Sequence, residues 1–296
     1  MVKMSPKRIV RTVIIIAFIF IFSLMLHGCF FLRGNIYPNG ECSSEPDESL
    51  PKIIVYGDSR TQANVHRGLV DLMQSYNPEA IIHTGDMVED GYVQSQWDEF
   101  NSIAQPFLSA GIFYPSLGNH ERNSPLYFEN FKEIIDGSGW YSVDLQSVHF
   151  IIIDSNSDIS PSSPQYQWLL NDLQSNTQPD NFSVAVFHHP VFNVGKHPPD
   201  QKGFMDSIVP LFEQYDVDIV FSGHDHNYQR YYYNSIYYII SGGGGAPLYS
   251  RTSTLPYLEA FIYAYHFCVI YVSRSRLYVK VINDNGKEID CFEVTP

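Results

Sequence analysis

The sequence predicts an α/β fold, of mixed α+β character, with sheets packed together and helices outside. Three observations predict it. From residue 52 to Asp225, short apolar runs alternate with segments of helical spacing. After Asp225 the chain turns to aromatic and β-branched runs separated by turn formers such as Asn283-Asp284-Asn285-Gly286, the pattern of antiparallel strands. No repeat or linker interrupts residues 52–296, so they read as one domain.

The N-terminal segment stands apart. Lys3, Lys7, Arg8 and Arg11 precede an apolar run from Thr12 to Leu26, a basic-then-apolar order that marks an export signal. The run is short for a membrane span, which needs about 20 apolar residues. Leu26, Gly28 and Cys29 resemble a bacterial lipoprotein signal with Cys29 as the lipidated residue, although His27 departs from the small residue usual there. The alternative is an uncleaved signal anchor running on through Phe30, Phe31 and Leu32. Either form of residues 1–32 tethers the chain to a membrane and leaves the bulk of it outside the cytoplasm. Residues 33–51, with Gly, Pro, Ser, Asn and Glu and little apolar periodicity, read as a tether. Cys42, Cys268 and Cys291 follow Cys29; export permits a disulfide, but three cannot all pair. Lys and Arg number 18 against 32 Asp and Glu, a formal charge of −14. That balance argues against nucleic acid as a partner, because backbone binding rests on Lys and Arg.

Within the domain, the elements follow in order. Lys52–Tyr56 is an apolar run ending in Gly57-Asp58, and Asn64–Ser75 carries Val65, Leu69, Leu72 and Met73 at helical spacing. Ala80–Thr84 ends in Gly85-Asp86, and Gln96–Leu108 sets Trp97, Phe100, Ile103 and Phe107 on one side of a helix. Ile112–Leu117 ends in Gly118-Asn119-His120-Glu121. Val148–Asp154 is a strand, Pro164–Ser175 a helix, and Ser183–Phe187 a strand ending in His188-His189-Pro190. Phe204–Gln214 reads as one helix, and Val217–Phe221 leads into Gly223-His224-Asp225-His226.

Five apolar runs thus end in residues able to bind a ligand: Asp58; Asp86; Asn119 with His120; His188 with His189; and His224 with His226. Loops at the carboxyl ends of like-directed strands share one crevice. A single Gly-Asp is ordinary turn chemistry. Five endings mixing carboxylate, amide and imidazole exceed that explanation and suit Zn, Fe or Mn rather than Mg or Ca. The number of donors also exceeds one tetrahedral site, which predicts two ions about 3.5–4 Å apart sharing a carboxylate.

Taken together, these motifs resemble the five ordered motifs of the calcineurin-like metallophosphoesterases. His224-Asp225-His226-Asn227-Tyr228-Gln229-Arg230 resembles the ending of the purple acid phosphatase-like branch. The resemblance implies a four-layer αββα sandwich of two mixed β-sheets, with the metal site at the C-terminal loops of the strands. It implies that Asp86 bridges both ions, that Asp58 and His226 hold the first, and that Asn119, His188 and His224 hold the second. His120 matches the histidine that orients phosphate or protonates the leaving group. The implied reaction is hydrolysis of a phosphate monoester in a small molecule by metal-activated hydroxide. A phosphodiesterase acting on nucleotides or phospholipid head groups is the alternative. A non-catalytic surface-tethered binding protein is the rival from another class; loss of Asp86 or His120 would mark it, and both are present.

Two departures from the family pattern leave the first ion short of a ligand. Arg60 stands where the family often has His, and Glu89 where purple members have a ligating Tyr. His66, near the start of the first helix, and Glu89 are the candidate replacements. Arg60 is also a candidate for substrate phosphate, which guanidinium binds in a bidentate manner. His189 is a candidate to orient or shield the site, and Arg230 to brace its loop. Gly242–Gly245 lacks the Lys-Ser/Thr of a P-loop and reads as a close backbone approach. Asn123–Leu126, Asn156–Ser163 and Val194–Lys202 are the candidate specificity loops.

Overall fold

The computed structural model describes residues 34–38, 42, 45–176 and 181–295; the expected export signal lies outside them. The chain runs β1 (Lys52–Tyr56), α1 (Ala63–Ser75), β2 (Ala80–His83), α2 (Gln94–Ser109), β3 (Phe113–Pro115) and α3 (Pro125–Asn130). It continues through β4 (Tyr141–Leu145), β5 (Val148–Ile152), α4 (Pro164–Ser175), β6 (Phe182–Val186), α5 (Phe204–Ser207), α6 (Val209–Gln214) and β7 (Ile219–Ser222). The end is all strand: β8 (Tyr228–Tyr233), β9 (Ile236–Ser241), β10 (Leu258–Ile262), β11 (His266–Val272), β12 (Leu277–Asn283) and β13 (Glu288–Val294).

Two mixed sheets result. One has the order β13-β12-β11-β1-β2-β3, the other β10-β8-β9-β7-β6-β5-β4. β1, β2 and β3 are parallel, as are β5, β6, β7 and β9. The sheets meet face to face: Ile53, Val55 and Ile82 of one pack with Phe150, Val184 and Phe221 of the other in a single buried cluster. Both faces of the central strands are therefore covered, which is why β1, β2, β6 and β7 read as unbroken apolar runs. A second cluster sets Leu69, Met73, Trp97 and Phe100 of α1 and α2 against the outer face of the first sheet. A third sets Leu169, Leu173 and Phe212 of α4 and α6 against the other sheet. The layers are those of the expected αββα sandwich.

Three local differences from the sequence reading have physical causes. The single helix expected over Phe204–Gln214 is two short helices, because Pro210 near the start of α6 has no N–H to continue the helical ladder from α5. β4 and β10 are edge strands, and their mixed polar composition hides them from a search for apolar runs. The described part of residues 33–51 is clasped to the domain. Ile36 exchanges both backbone hydrogen bonds with Phe261 of β10, and Cys42 is disulfide-bonded to Cys291 of β13 with Cα atoms 5.9 Å apart. Cys268 is buried and unbridged. No helix among the described residues is long and apolar enough to cross a membrane.

Candidate metal centre

The parallel strands end on one side of the sandwich, and the five polar endings converge there. Three of the expected ligands take a backbone conformation unusual for side-chain-bearing residues: φ is +58° at Asp58, +59° at Asp86 and +69° at His224. Asp and His tolerate this region better than most residues, and such strain persists where surrounding structure enforces it. Here a glycine clears the space. A Cβ on Gly118 would stand 2.2 Å from Asp86 Oδ1, and one on Gly223 2.4 Å from Asp58 Oδ2. Both glycines are fixed by the approach of a carboxylate.

Three imidazoles are oriented by one acceptor each. His188 Nδ1 donates to the Thr84 carbonyl at 2.9 Å, His224 Nε2 to Gln201 Oε1 at 3.2 Å, and His226 Nδ1 to the Pro247 carbonyl at 2.7 Å. The opposite nitrogen of each ring therefore faces the cleft. An outer acceptor that fixes the ring and its tautomer is the usual support of a metal-binding histidine.

The facing atoms form a tight set. Asp86, His188 and His224 offer ligand atoms that all lie within 4.8 Å of one another. His188 Nε2 lies 3.0 Å from Asn119 Oδ1, 3.3 Å from His224 Nδ1 and 3.3 Å from Asp86 Oδ1. Burial works against charge on His188, but Asp86 overrides it and holds the imidazole up to about 9. Burial alone would raise Asp86; the His188 charge and hydrogen bond hold it well below the usual carboxylate range. A positive charge is thus wanted at the centre of this set, and two imidazoles, an amide oxygen and a carboxylate are donors suited to a transition metal. His224 is held neutral, by burial first and His188 second. These four residues fit one ion.

The other half of the cleft is built differently. Asp58, fully buried, accepts the His224 amide at 3.0 Å, and its Oδ1 lies 3.5 Å from His226 Nε2. Burial pushes the Asp58 carboxyl well above its usual range, with the Asp86 charge adding to it. Burial also holds the His226 imidazole neutral, down to about 4. Arg60 enters this half, with its side chain only 10% exposed. Its Nη2 lies 3.3 Å from His226 Nε2, its Nε 3.5 Å from Asp86 Oδ2, and its Nη1 is paired with Glu89.

His66 does not join the ligands. Its Nε2 is hydrogen-bonded to the Tyr56 hydroxyl at 3.1 Å, and its ring stacks on Phe100 with centroids 5.6 Å apart. It lines a cavity of about 280 Å³ together with Arg60 and Glu89, but it is 2% exposed and belongs to the helix–sheet packing. The expectation that it completes the first site is corrected on this ground: α1 carries the ring inward under β1.

His120 sits at the rim, its side chain 22% exposed. Its amide donates to Asp86 Oδ1 at 3.0 Å and its Nδ1 to the Glu89 carbonyl at 2.7 Å, so Nε2 faces the cleft 3.8 Å from Asp86 Oδ2. His189 packs behind His224 with ring centroids 4.6 Å apart, and its Nδ1 accepts from the Ser155 hydroxyl at 2.8 Å. It packs against a ligand and is not among the residues whose ligand atoms gather at the centre. Arg230, a candidate to brace the loop before it, forks onto Asp290, at 2.7 Å and 3.2 Å, and ties β8 to β13. Gly244 and Ala246 donate to the Gly57 and Asp58 carbonyls at 2.8 Å each, the close backbone approach expected of that stretch.

Three supporting residues carried no role in the sequence reading. Glu121 accepts hydrogen bonds from the Asp86, Met87, Val88 and Gly118 amides, and so locks the loop that carries Asp86. His83 ties two loops, accepting from the Gly85 amide at 3.1 Å and reaching the Ser59 hydroxyl at 3.1 Å. The signal for His83 was a lone imidazole inside an apolar run. Gln201, the partner of His224, lies in a loop chosen only for its position.

Comparison with known proteins agrees with this geometry. Residues 51–228 match the family model described as calcineurin-like phosphoesterase. The chain is 29% identical over 205 residues to probable purple acid phosphatase 20 of Arabidopsis thaliana, covering 63% of this chain and 48% of that protein. It is 28% identical over 225 residues to a nucleotide pyrophosphatase/phosphodiesterase of Hordeum vulgare, covering 62% of this chain and 60% of that protein. A purple acid phosphatase from yellow lupin (Lupinus luteus) seeds superposes with a TM-score of 0.72 at 17% identity, covering 84% of this chain and 54% of that one, a likeness of fold. The chain spans about half the length of the first of these relatives.

Proposed function

The chain belongs to the calcineurin-like phosphoesterase family, and from that premise we propose that it is a metal-dependent hydrolase of phosphate monoesters in small molecules. The observation that carries the reading is the convergence of Asp86, Asn119, His188 and His224 on one point, with the cleft-facing nitrogen of His120 beside them. Iron, zinc or manganese bound there would supply Lewis acidity and an activated water near neutral pH. The side chains do the rest. Asp86, Asn119, His188 and His224 would hold the ion. Glu121 keeps Asp86 in place through its loop. His120, with Nδ1–H committed to the Glu89 carbonyl, gives its Nε2 proton to the departing alkoxide oxygen when it is imidazolium. Arg60 adds positive charge to a protein whose formal charge of −14 otherwise repels phosphate.

The resemblance of the motifs implies a pair of ions, with Asp86 between them and Asp58 and His226 on the first. A phosphodiesterase activity is favoured over monoester hydrolysis only by the resemblance to the Hordeum vulgare protein; the ratio of monoester to diester rates separates the two. Export to the outer side of a membrane, tethered through a lipidated Cys29 or through residues 1–32 as an uncleaved anchor, completes the proposal. The basic-then-apolar segment supports it, and the Cys42–Cys291 disulfide suits an oxidising compartment. The test is hydrolysis of an aryl phosphate by the purified chain. Asp86→Ala is expected to abolish it, and chelation to abolish it until metal is restored. Full activity in a rigorously metal-free preparation would sink the idea.

A further inference from the structure

We propose that Arg60 takes the place of the first ion, so that this chain binds one metal ion where two were expected from its sequence. The inference rests on the reading of the cleft as a metal centre and concerns the half that lacks a complete ligand set.

Four observations point the same way. First, the guanidinium reaches the groups assigned to the first ion: Nη2 is 3.3 Å from His226 Nε2 and Nε is 3.5 Å from Asp86 Oδ2. Arginine is always protonated and has no lone pair, so it cannot be a ligand; it can only be the cation the ligands hold. Second, His226 has one cleft-facing lone pair. Its other nitrogen is committed to the Pro247 carbonyl. A lone pair that accepts from Arg60 is not available to a metal. Third, neither candidate to complete the first site is free. His66 is bonded to Tyr56, and Glu89 is paired with Arg60 Nη1. Fourth, the guanidinium is held there from outside and is not an arm swept in from solvent. Its side chain is 10% exposed, and Glu89 anchors its far edge.

The charge balance supports the substitution. Two buried carboxylates, Asp58 and Asp86, converge on this cleft. Burying such groups without compensation is costly. One divalent ion on the Asn119–His188–His224 side and one guanidinium 3.5 Å from Asp86 Oδ2 compensate Asp86 without a second metal, and Asp58 accepts the His224 amide at 3.0 Å. Among the described residues, only Asp86, His188 and His224 form a group of three or more His, Cys, Asp or Glu whose ligand atoms are this close.

The experiment is metal counting on the full chain by elemental analysis and by calorimetric titration of the metal-free protein with Mn²⁺ and with Zn²⁺. Wild type is expected to bind one ion per chain, and Arg60→His, which removes the cation and restores a ligand, two. Arg60→Ala serves if the histidine variant fails to fold by circular dichroism; it is expected to gain a weaker second site. Two ions in wild type would overturn the proposal, as would one ion in every variant that folds. Fewer than one ion in folded wild type would overturn the metal-centre reading itself, which keeps the two failures distinguishable.

Discussion

The two halves of the cleft share Asp86 and differ in where their positive charge comes from. On one side, Asn119, His188 and His224 point donor atoms at a common centre, each imidazole steadied by an acceptor behind it. On the other, Asp58 and His226 face a guanidinium that the chain itself supplies. The difference teaches that a ligand motif states which side chains arrive, not what they hold. His226 is oriented as carefully as His224, yet its lone pair has a partner already.

The largest expected effect comes from removing one histidine on each side. His188→Ala takes a donor from the complete half and is expected to bring aryl phosphate hydrolysis to background. His226→Ala takes only the partner of Arg60 and is expected to cost about 10–100-fold, the range for groups that support a site from outside. Equal losses, measured as kcat/KM, would break the comparison. His120→Ala follows, with an expected fall of about 10²–10⁴-fold on alkyl phosphates, whose leaving oxygen needs a proton. The fall is expected to shrink on aryl phosphates with acidic leaving groups; a loss independent of leaving group would remove His120 from the acid role. Gln201→Ala then probes the support behind His224. It is expected to weaken metal affinity by about 10–100-fold while leaving the fold intact, read by competition with a metal indicator.

The smallest effect lies outside the cleft, where a histidine sits between carboxylates that ask for no ion. His149 Nδ1 is 2.6 Å from Asp144 and Nε2 is 2.8 Å from Asp172, joining β4 and β5 to α4. Burial works against its charge, but the two carboxylates raise its pKa above the ordinary value. A raised histidine stabilises fully below its unfolded pKa, about 6.5, and that stability is lost as pH rises through the folded value. His149→Gln is therefore expected to cost about 1–2 kcal/mol in urea unfolding at pH 5, with the gap closing above the folded pKa. A gap that widened with pH would contradict the assignment. Both nitrogens of His149 donate to carboxylates, whereas His188, His224 and His226 each commit one nitrogen to an acceptor behind the ring and turn the other toward the cleft; that is the local difference between a clamp and a ligand.

The legible part of the molecule was the part governed by period and by strand endings. β1, β2, β6 and β7 are buried on both faces, so their apolar runs and the polar residues after them stood out. β4 and β10 lie at sheet edges, and their mixed composition gives no such contrast. Asp58, Asp86, Asn119, His188, His224 and His226 all reach the cleft, because parallel strands carry their C-terminal loops to one side. His66 misled because helical spacing places it near the cleft without saying which way its ring turns; Tyr56 and Phe100 turn it inward. The clasp made by Ile36 and Cys42 was hidden for a similar reason. Cys42 and Cys291 are 249 residues apart, and nothing local to either announces the other.

The asymmetry of the cleft is tested most directly by electron paramagnetic resonance of the full chain loaded with excess Mn²⁺ and freed of unbound ion. The account predicts the spectrum of an isolated Mn²⁺ in wild type and an exchange-coupled pair in Arg60→His. A coupled pair in wild type would contradict it, since two ions sharing Asp86 leave no place for the guanidinium.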